Sequence, residues 1–476
     1  MVDPLAIYKP DAFEVTFFKL IREKQDLDND EGAFNPDLTH QIFGQSEIIF
    51  GYKDLSIVIS YTAGSLATLV QIDYSSKIPP SLAEGVKPDN ILAALKEAYP
   101  AGFTTDRDEF LKQFDKDITF EPYGSPEKSY SVIEGENSRE FVIYYVDSKS
   151  PDFLEFTKYL KRMEPFLLFF IDEASFVVLD DDWSFYVVYE KFMSPSSPSP
   201  RYAFVGYASV HFFYAYPENT RPRISQVLIL PPFQKMGHCT RLLEAIYDRV
   251  VPLSKTIDVT CKIVCLGSDL IALVEAPSDN LSRLRDYLDC KRCLTKSPEI
   301  LPILNRVLDF AHLSSTNTLP KPDDMTDLPS AKRRRLLSGD SSSALSPESE
   351  SDEVLNSAYL VLLKKFIDTV RPRLKLSKFQ SRRIFNTLIY FIISRKSPKA
   401  LDEFYKTVLY RKRIADRRAR GLVLAMSASE RRPNFDENYE QDLENQVKSE
   451  LALYQNAAEK LGIALSNGEL GQIEGL

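Results

Sequence analysis

The residues best placed to do chemistry lie in one short run, LPPFQKMGHC, Leu230 to Cys239. Pro231 and Pro232 have no amide proton to give a sheet ladder, so they end the apolar run SQVLIL before them. Gly237 then permits a tight turn, and TRLLEAI opens a helical pattern directly after it. A turn feeding a helix N-terminus aims several backbone N–H groups one way, and the helix dipole adds to their field. That combination binds anions such as a pyrophosphate. The run is not a P-loop, because no Gly-Lys-Ser/Thr follows, and it lacks the three glycines of the dinucleotide fingerprint. Two readings stand at this point: an anion cradle, or an ordinary helix start that carries a glycine.

Metal chemistry has weaker support. The four histidines, His40, His211, His238 and His312, show no metal-ligand spacing. Cys261, Cys265, Cys290 and Cys293 read C-x3-C then C-x2-C, the outline of a zinc framework. The first pair lies in an apolar run and the second in a helical one, without the glycine-rich turns that aim thiolates. Buried or free thiols are the favoured reading, and no metal is expected.

Length and composition set the frame for these residues. A chain of 476 residues exceeds one core and implies roughly two to four domains. Its 44% hydrophobic and 12% aromatic content is enough to bury real cores. A net charge of −9 argues against nucleic acid as a direct partner and suits a basic partner through long-range steering. Ordinary soluble proteins are often mildly acidic too. No run approaches the ~18 apolar residues of a membrane span, and the start MVDPLAIYKPD has no apolar signal core. No membrane association is expected, and five cysteines fit a reducing, intracellular compartment.

The elements that must position the run follow from periodicity, and the fold class they imply is α+β. Residues 1–128 alternate short strand-like runs (EVTFFKL, IIFGYKD, LSIVISYTAG, ATLVQIDYSS) with turns, plus a helix in DNILAALKEAY with Asp89 as its expected N-cap. Residues 129–290 form a mixed α/β core around a central sheet. Its strands are SYSVIE, REFVIYYVD, SFYVVYEKF, RYAFVGYASVHFFYAY and ISQVLIL, and its helices SPDFLEFTKYLKRMEPFLLFFI and CTRLLEAIYDRVV. Residues 291–312 begin a helical domain that resumes over 353–476, where Leu443, Val447, Leu451 and Tyr454 make one apolar stripe. Between them, 313–352 is rich in Ser, Pro and acids and is expected to be a disordered insert. It carries KRRR, Lys332 to Arg335, either a nuclear-import cluster or an ordinary charge run. The basic stretch from Lys406 to Arg420 reads as a solvated helix face.

Four stretches give the loop its context: THQIFG (Thr39 to Gly44), FGYKDLSIVISYTAGSLAT (Phe50 to Thr68), YAYPENTRPRISQVLILPPFQ (Tyr214 to Gln234) and VEAPSDNLSRLRDYL (Val274 to Leu288). Together they closely resemble the type B histone acetyltransferase catalytic subunits, within the GCN5-related N-acetyltransferase superfamily. The likeness covers the N-terminal domain, the core and, more loosely, the helical C-terminus. It implies a GCN5-related N-acetyltransferase core that binds acetyl-CoA along the main chain of Val227, Leu228 and Ile229. The pyrophosphate would rest on Gln234, Lys235, Met236, Gly237, His238, Cys239 and Thr240. The implied substrate is the N-terminal tail of newly made histone four, near Gln45, Ser46, Glu47, Trp183, His211, Phe212 and Phe213. Trp183 follows three acids, Asp180 to Asp182, which suits a Lys/Arg-rich peptide. A substrate ammonium, with pKa about 10.4 in water, must lose a proton before attack. The resemblance assigns that to Glu275, with Asp172 as a second carboxylate. It also implies a WD-repeat histone-chaperone partner and residence in nucleus and cytoplasm.

The sequence departs from the family pattern at three places. Cys239 stands where the loop usually ends in Gly or Ala, and Ala276 stands where an acid follows the base. The 13 residues from Cys261 to Leu273 interrupt what is otherwise a nearly direct run from DVT to VE. Looped out, they leave the strand register intact; kept in the sheet, an odd shift turns every later side chain over. These departures keep a second function open, a histone-binding scaffold with impaired catalysis, beside a third, acetylation of another protein amine.

Overall fold

The computed structural model describes residues 5–195, 197–261, 279–306, 347–396, 401–402, 404–409, 411–413 and 439–470. They divide into two compact units, Met1–Tyr214 with Pro222–Val250, and Ala215–Arg221 with Val251–Leu476. In the first unit, α1 (Ala12–Val15), α2 (His40–Phe43), α3 (Pro80–Ala83), α4 (Ile91–Ala98) and α5 (Arg107–Asp117) surround a three-stranded sheet. That sheet holds β1 (Thr16–Ile21) parallel to β3 (Ser56–Thr62), which pairs antiparallel with β4 (Thr68–Asp73). The strands β2 (Tyr52–Lys53) and β5 (Ser76–Lys77) form a separate short pair.

A larger sheet follows, with β6 (Ser125–Glu134), β7 (Asn137–Asp147), β8 (Trp183–Phe192), β9 (Arg201–Ala215) and β10 (Asn219–Ile229) in the spatial order β10-β9-β8-β7-β6. Its central strand β8 reads WSFYVVYEKF, and Phe185 to Tyr189 are all buried. An unbroken β-branched and aromatic run is what a strand covered on both faces requires. The outer strand β6 alternates exposed and half-buried positions and pairs only with β7. Helices α6 (Phe153–Met163), α7 (Leu167–Phe170) and α8 (His238–Val250) complete the unit. The α6 residues Phe156, Tyr159, Leu160 and Met163 recur at helical spacing and are buried.

Aromatic packing and buried charge lock the small sheet to the large one. Phe18 on β1 stacks on Phe34 at 5.6 Å and meets the edge of Phe169 on α7 at 4.8 Å, while Tyr61 on β3 lies 4.5 Å from Phe166. Arg201, at the start of β9, is 2% exposed. It donates to the carbonyl of Arg22 at 2.6 Å and pairs with Asp117 of α5 at 3.3 Å and Glu23 at 3.6 Å. Its guanidinium lies over the rings of Phe114 and Phe192. On β8, buried Glu190 accepts from Arg22 and, through two bonds of 2.9 Å, from Arg139.

The second unit contains β11 (Thr260–Cys261) and α9 (Asp279–Lys296), α10 (Pro347–Leu374), α11 (Lys378–Lys396) and α12 (Tyr439–Ser466). One apolar cluster joins these helices, from Cys290 and Cys293 through Phe366, Phe385 and Ile389 to Val447 and Leu461. Inside it, Asp289 is fully buried against Arg285, Arg292 and Gln380. Cys290 and Cys293 sit in that core, and burial pushes both thiols up, away from the thiolate that a metal takes. Cys265 lies outside the described residues. Among the described residues no helix is long and apolar enough to cross a membrane.

Three local expectations are corrected. The N-cap of α4 is Asn90, whose side chain accepts from the amide of Ala93, because Asp89 is used elsewhere, accepting from the amide of Phe50 at 2.6 Å. The run IIFGYKD is not a full strand. Tyr52–Lys53 form its short strand and Ile48 makes an isolated bridge to Asp11, while Gly51 and Asp54 hold positive φ and bend the chain on either side of the strand. Residues 347–352 open α10 rather than extend the insert, with Pro347 at the first helical position, where its fixed φ suits a helix start. The rest of the insert, including Lys332 to Arg335, lies outside the described residues.

The Arg201 network makes an asymmetric prediction. Arg201→Met strips a cation from two carboxylates in a buried setting and lowers the unfolding free energy by about 3–5 kcal/mol. Lys158→Met, at an exposed helical pair with Glu155, changes it by about 0.5 kcal/mol or less. Urea denaturation of both variants checks this, and equal costs would show that the Arg201 charges are solvated.

Candidate functional site

The loop between β10 and α8 holds the geometry that its glycine implied. β10 ends where Val205 in β9 bulges between the β8 partners Val188 and Tyr189. The carbonyl of Val205 accepts the amide of Leu230 at 2.9 Å. Gly206, beside the bulge, lets β10 come close, because a Cβ there would overlap the carbonyl of Leu228 and lie 2.9 Å from Cα of Ile229. A single turn over Pro231–Phe233 follows, and the Gln234 side chain donates back to the carbonyl of Ile229 at 3.0 Å. Lys235 and Gly237 take φ of 64° and 82°, which turns the chain into α8. The amides of Lys235, Met236 and Gly237 donate to no backbone carbonyl among the described residues, and the first bond into the helix runs from Arg241 to Gly237. Amides without a backbone acceptor at a helix start are of the kind that serves a pyrophosphate.

Two side chains back this loop. His238 is buried, hydrogen-bonded to the Tyr130 hydroxyl at 2.8 Å and set 4.3 Å from the Phe141 ring. Burial, with help from Arg241 and Arg139, pushes its imidazole down to about 4. It is a neutral packing group at neutral pH, bonded through Nδ1 while its buried Nε2 has no hydrogen-bond partner among the described residues. Arg241 bends back over the turn, donating to the carbonyl of Met236 at 3.3 Å and lying 4.8 Å over Tyr130. Sequence reasoning passed over Arg241. The signal was a cation in the first turn of a helix, where the dipole disfavours it unless an anion is near.

A second group of residues collects around α2. The Gln41 side chain donates to the carbonyls of Leu168 and Ile171, at 3.2 and 2.9 Å, and pins α2 to the end of α7. Glu47, expected to meet substrate, folds its carboxylate inward onto the amides of Thr39 and His40 at 2.9 and 2.8 Å. Those bonds, the Thr39 amide first, hold its carboxyl below the usual range. The His40 imidazole stands between that carboxylate, 3.5 Å from Nδ1, and Asp172, 3.0 Å from Nε2. Asp172 is otherwise exposed, as are Gln45 and Ser46.

A third group lies on β8 and β9. Trp183 and His211 are direct partners across the two strands, their rings 4.8 Å apart, and Phe213 follows on the same face 4.3 Å from His211. Phe212 points to the other face, as strand alternation demands, and its amide bonds the carbonyl of Asp182. His211 Nε2 lies 3.2 Å from Asp180, which stays below its usual range; burial is the largest single influence and pulls it up, but the bonds from His211 and the Asp182 amide together prevail. Arg223 of β10 covers Phe213 at 4.3 Å. Asp180, Asp182 and His211 bring ligand atoms within 4.8 Å of one another, on an exposed surface.

The segment from Ile171 to Asp182 joins these last two groups and has no helix or strand of its own. Side chains hold it instead. Gln226 of β10 donates to the carbonyl of Ser175 at 2.9 Å while accepting from Tyr207 and Ser209. Glu164, 4% exposed, accepts the amide of Val177 at 2.7 Å, and Trp183 donates to the carbonyl of Val178 at 3.1 Å. Burial raises the Glu164 carboxyl from about 4.5 to about 7, against the pull of that amide. Glu275, Ala276 and residues 262–273 lie outside the described residues.

With this geometry in place, known proteins show a matching pattern. A family model described as the histone acetyl transferase HAT1 N-terminus matches residues 8–172. The chain is 37% identical over 293 residues to a histone acetyltransferase type B catalytic subunit of Homo sapiens, covering 61% of this chain and 65% of that protein. It is 36% identical over 305 residues to that of Mus musculus, covering 63% and 68%. The fungal subunit of Cryptococcus neoformans is 33% identical over 292 residues, covering 56% and 65%. The match thus spans a little under two thirds of the human protein.

Glu164 makes the site's stability depend on pH. A carboxyl raised from about 4.5 to about 7 stabilises the fold below the lower value, and that contribution fades as pH rises through the upper one. Glu164→Gln keeps the acceptor for Val177 without the charge. Between pH 5 and 8 the balance of unfolding free energy shifts toward the variant by on the order of 2 kcal/mol. Urea denaturation at both pH values measures it, and a pH-independent difference would show an ordinary carboxyl.

Proposed function

This chain belongs to the family of type B histone acetyltransferase catalytic subunits, and we propose that it acetylates lysine ε-amines of the newly synthesised histone four tail. The donor is acetyl-CoA, and the amine attacks its thioester directly in a ternary complex. The observation that carries this reading is one sheet bearing two complementary surfaces. At the end of β10 is a turn whose amides have no backbone acceptor among the described residues, suited to a pyrophosphate. At the ends of β8 and β9 is an aromatic and acidic face, Trp183, His211, Phe213, Asp180 and Asp182, suited to a basic extended peptide. In this reading β6 to β10 with α8 are the GCN5-related N-acetyltransferase core.

The chemistry asks three things of these residues. The main chain of Val227 to Ile229 and of Gln234 to Thr240 binds the donor, with Arg241 as an added phosphate contact. Cys239 is small enough to leave the turn open. The acids and Trp183 hold the peptide. Removal of the ammonium proton falls to Glu275, with Asp172 as the supporting carboxylate, and main-chain donors stabilise the developing oxyanion. The second reading, a histone-binding scaffold, is favoured by Ala276 and the residues from Cys261 to Leu273. A WD-repeat histone chaperone remains the proposed partner, and nucleus and cytoplasm the proposed location.

Purified protein with acetyl-CoA is expected to acetylate a histone-four tail peptide, and Glu275→Gln to slow turnover by roughly tenfold or more. Calorimetry with acetyl-CoA runs in parallel. Cofactor and peptide binding without turnover would establish the scaffold, and turnover only on other amines would move the substrate class.

A further inference from the structure

We propose that His40 is a positioning residue that sets Asp172 for the reaction. This deepens the acetyltransferase reading and rests on it. Sequence gives His40 no metal spacing and no obvious role. In the structure its Nε2 lies 3.0 Å from Asp172, a carboxylate of the proposed chemistry, and its Nδ1 3.5 Å from Glu47, a proposed tail contact. The ring is the one side chain among the described residues that touches both. A carboxylate as exposed as Asp172 samples several rotamers unless something restrains it, and the imidazole standing 3.0 Å away narrows that freedom by charge and by contact.

The surroundings fix the imidazole on the other side. Gln41, the next residue, is tied to the carbonyls of Leu168 and Ile171, so α2 cannot slide relative to Asp172. The amide of His40 donates to Glu47, so its own backbone is pinned to the second carboxylate. Glu47 and Glu173 both take positive φ, 52° in each case. Two non-glycine residues in that conformation flanking one imidazole mark backbone strain held where side-chain placement matters. The amide of Glu173 donates to Asp172 at 3.0 Å, so the carboxylate has one backbone bond and the imidazole as a close neighbour. Placement within fractions of an ångström is what such a second contact supplies to a reacting group.

The geometry distinguishes the two amide replacements. A glutamine amide nitrogen reaches about as far as Nε2 and keeps an N–H group beside Asp172; an asparagine nitrogen corresponds to Nδ1 and falls short. His40→Asn is therefore expected to lower kcat roughly tenfold, with KM for the tail peptide changed less than about threefold. His40→Gln is expected to recover most of that loss. In an Asp172→Asn background, His40→Asn adds little further, because the two act through one contact. Equal losses in the Asn and Gln variants with unchanged thermal stability, or additive losses with Asp172→Asn, would overturn the proposal. A readout free of turnover separates it from the wider reading. In long-range proton–nitrogen spectra, with four histidines to assign, Asp172→Asn is expected to move the Nε2 resonance of His40 and leave those of His211 and His238 in place. An unmoved His40 resonance would overturn the proposal even in an active enzyme. A moved one supports the contact even if the histone-tail reading fails in the acetylation assay.

Discussion

The site rests on a segment that cannot hold itself. After the last helical bond, from the Ile171 amide to the carbonyl of Leu167, the chain as far as Asp182 has no helix or strand of its own, yet it carries Asp172 and ends at Trp183. Backbone groups near a core need partners, and here they come from distant side chains. Gln41 takes the carbonyl of Ile171, Gln226 that of Ser175, Trp183 that of Val178, and Glu164 takes the amide of Val177. Each anchor stands on a regular element or at the end of one. The irregular segment thereby inherits the precision of the elements around it while presenting carboxylates to solvent.

That arrangement makes the docking of the small sheet on the large one a functional matter. Residues Thr39 to Glu47 come from the small-sheet side and Asp172 from the large-sheet side, so a slip between the layers would separate His40 from Asp172. Apolar packing alone tolerates such slips, because it is not directional. Buried ion pairs do not, since each displaced charge is left without its partner. Arg201 with Asp117 and Glu23, and Glu190 with Arg22 and Arg139, supply that directionality at the seam. Their net stabilisation is modest by comparison with their power to exclude other registers.

Strands were legible where one physical signal decided them. The unbroken run of β8 announced a doubly covered strand, and the two prolines after β10 announced its end. Expectation failed where a second, non-local claim competed for the same residue. Asp89 looked like the cap of α4, but the amide of Phe50, far off in sequence, had already taken its carboxylate. IIFGYKD looked like a strand, but positive φ at Gly51 and Asp54 breaks its pairing. In the site, the turn at Gly237 was readable because its logic is local: glycine, turn, helix. The roles of His40, Gln41, Glu164 and Gln226 were not, because each depends on a partner between 7 and 132 positions away. No periodicity marks a residue for such a contact.

The two acidic groups answer a tension in the proposed chemistry. A carboxylate beside a lysine ammonium favours the charged form, so whatever attracts the substrate lysine also opposes its deprotonation. A single acidic patch would gain affinity and lose reactivity together. Here the attraction is concentrated at one end of the Ile171–Asp182 segment, where His211 and the amide of Asp182 keep Asp180 ionised. At the other end, Glu47 spends its charge on two backbone amides, and Asp172 accepts one amide with the His40 imidazole 3.0 Å away. Acids already engaged by donors bring less free negative charge to an incoming ammonium than solvated ones do. In the proposed chemistry Asp180 and Asp182 would attract the tail beside Trp183, Glu47 would add little free charge near Asp172, and the segment from Ile171 to Asp182 separates the two groups.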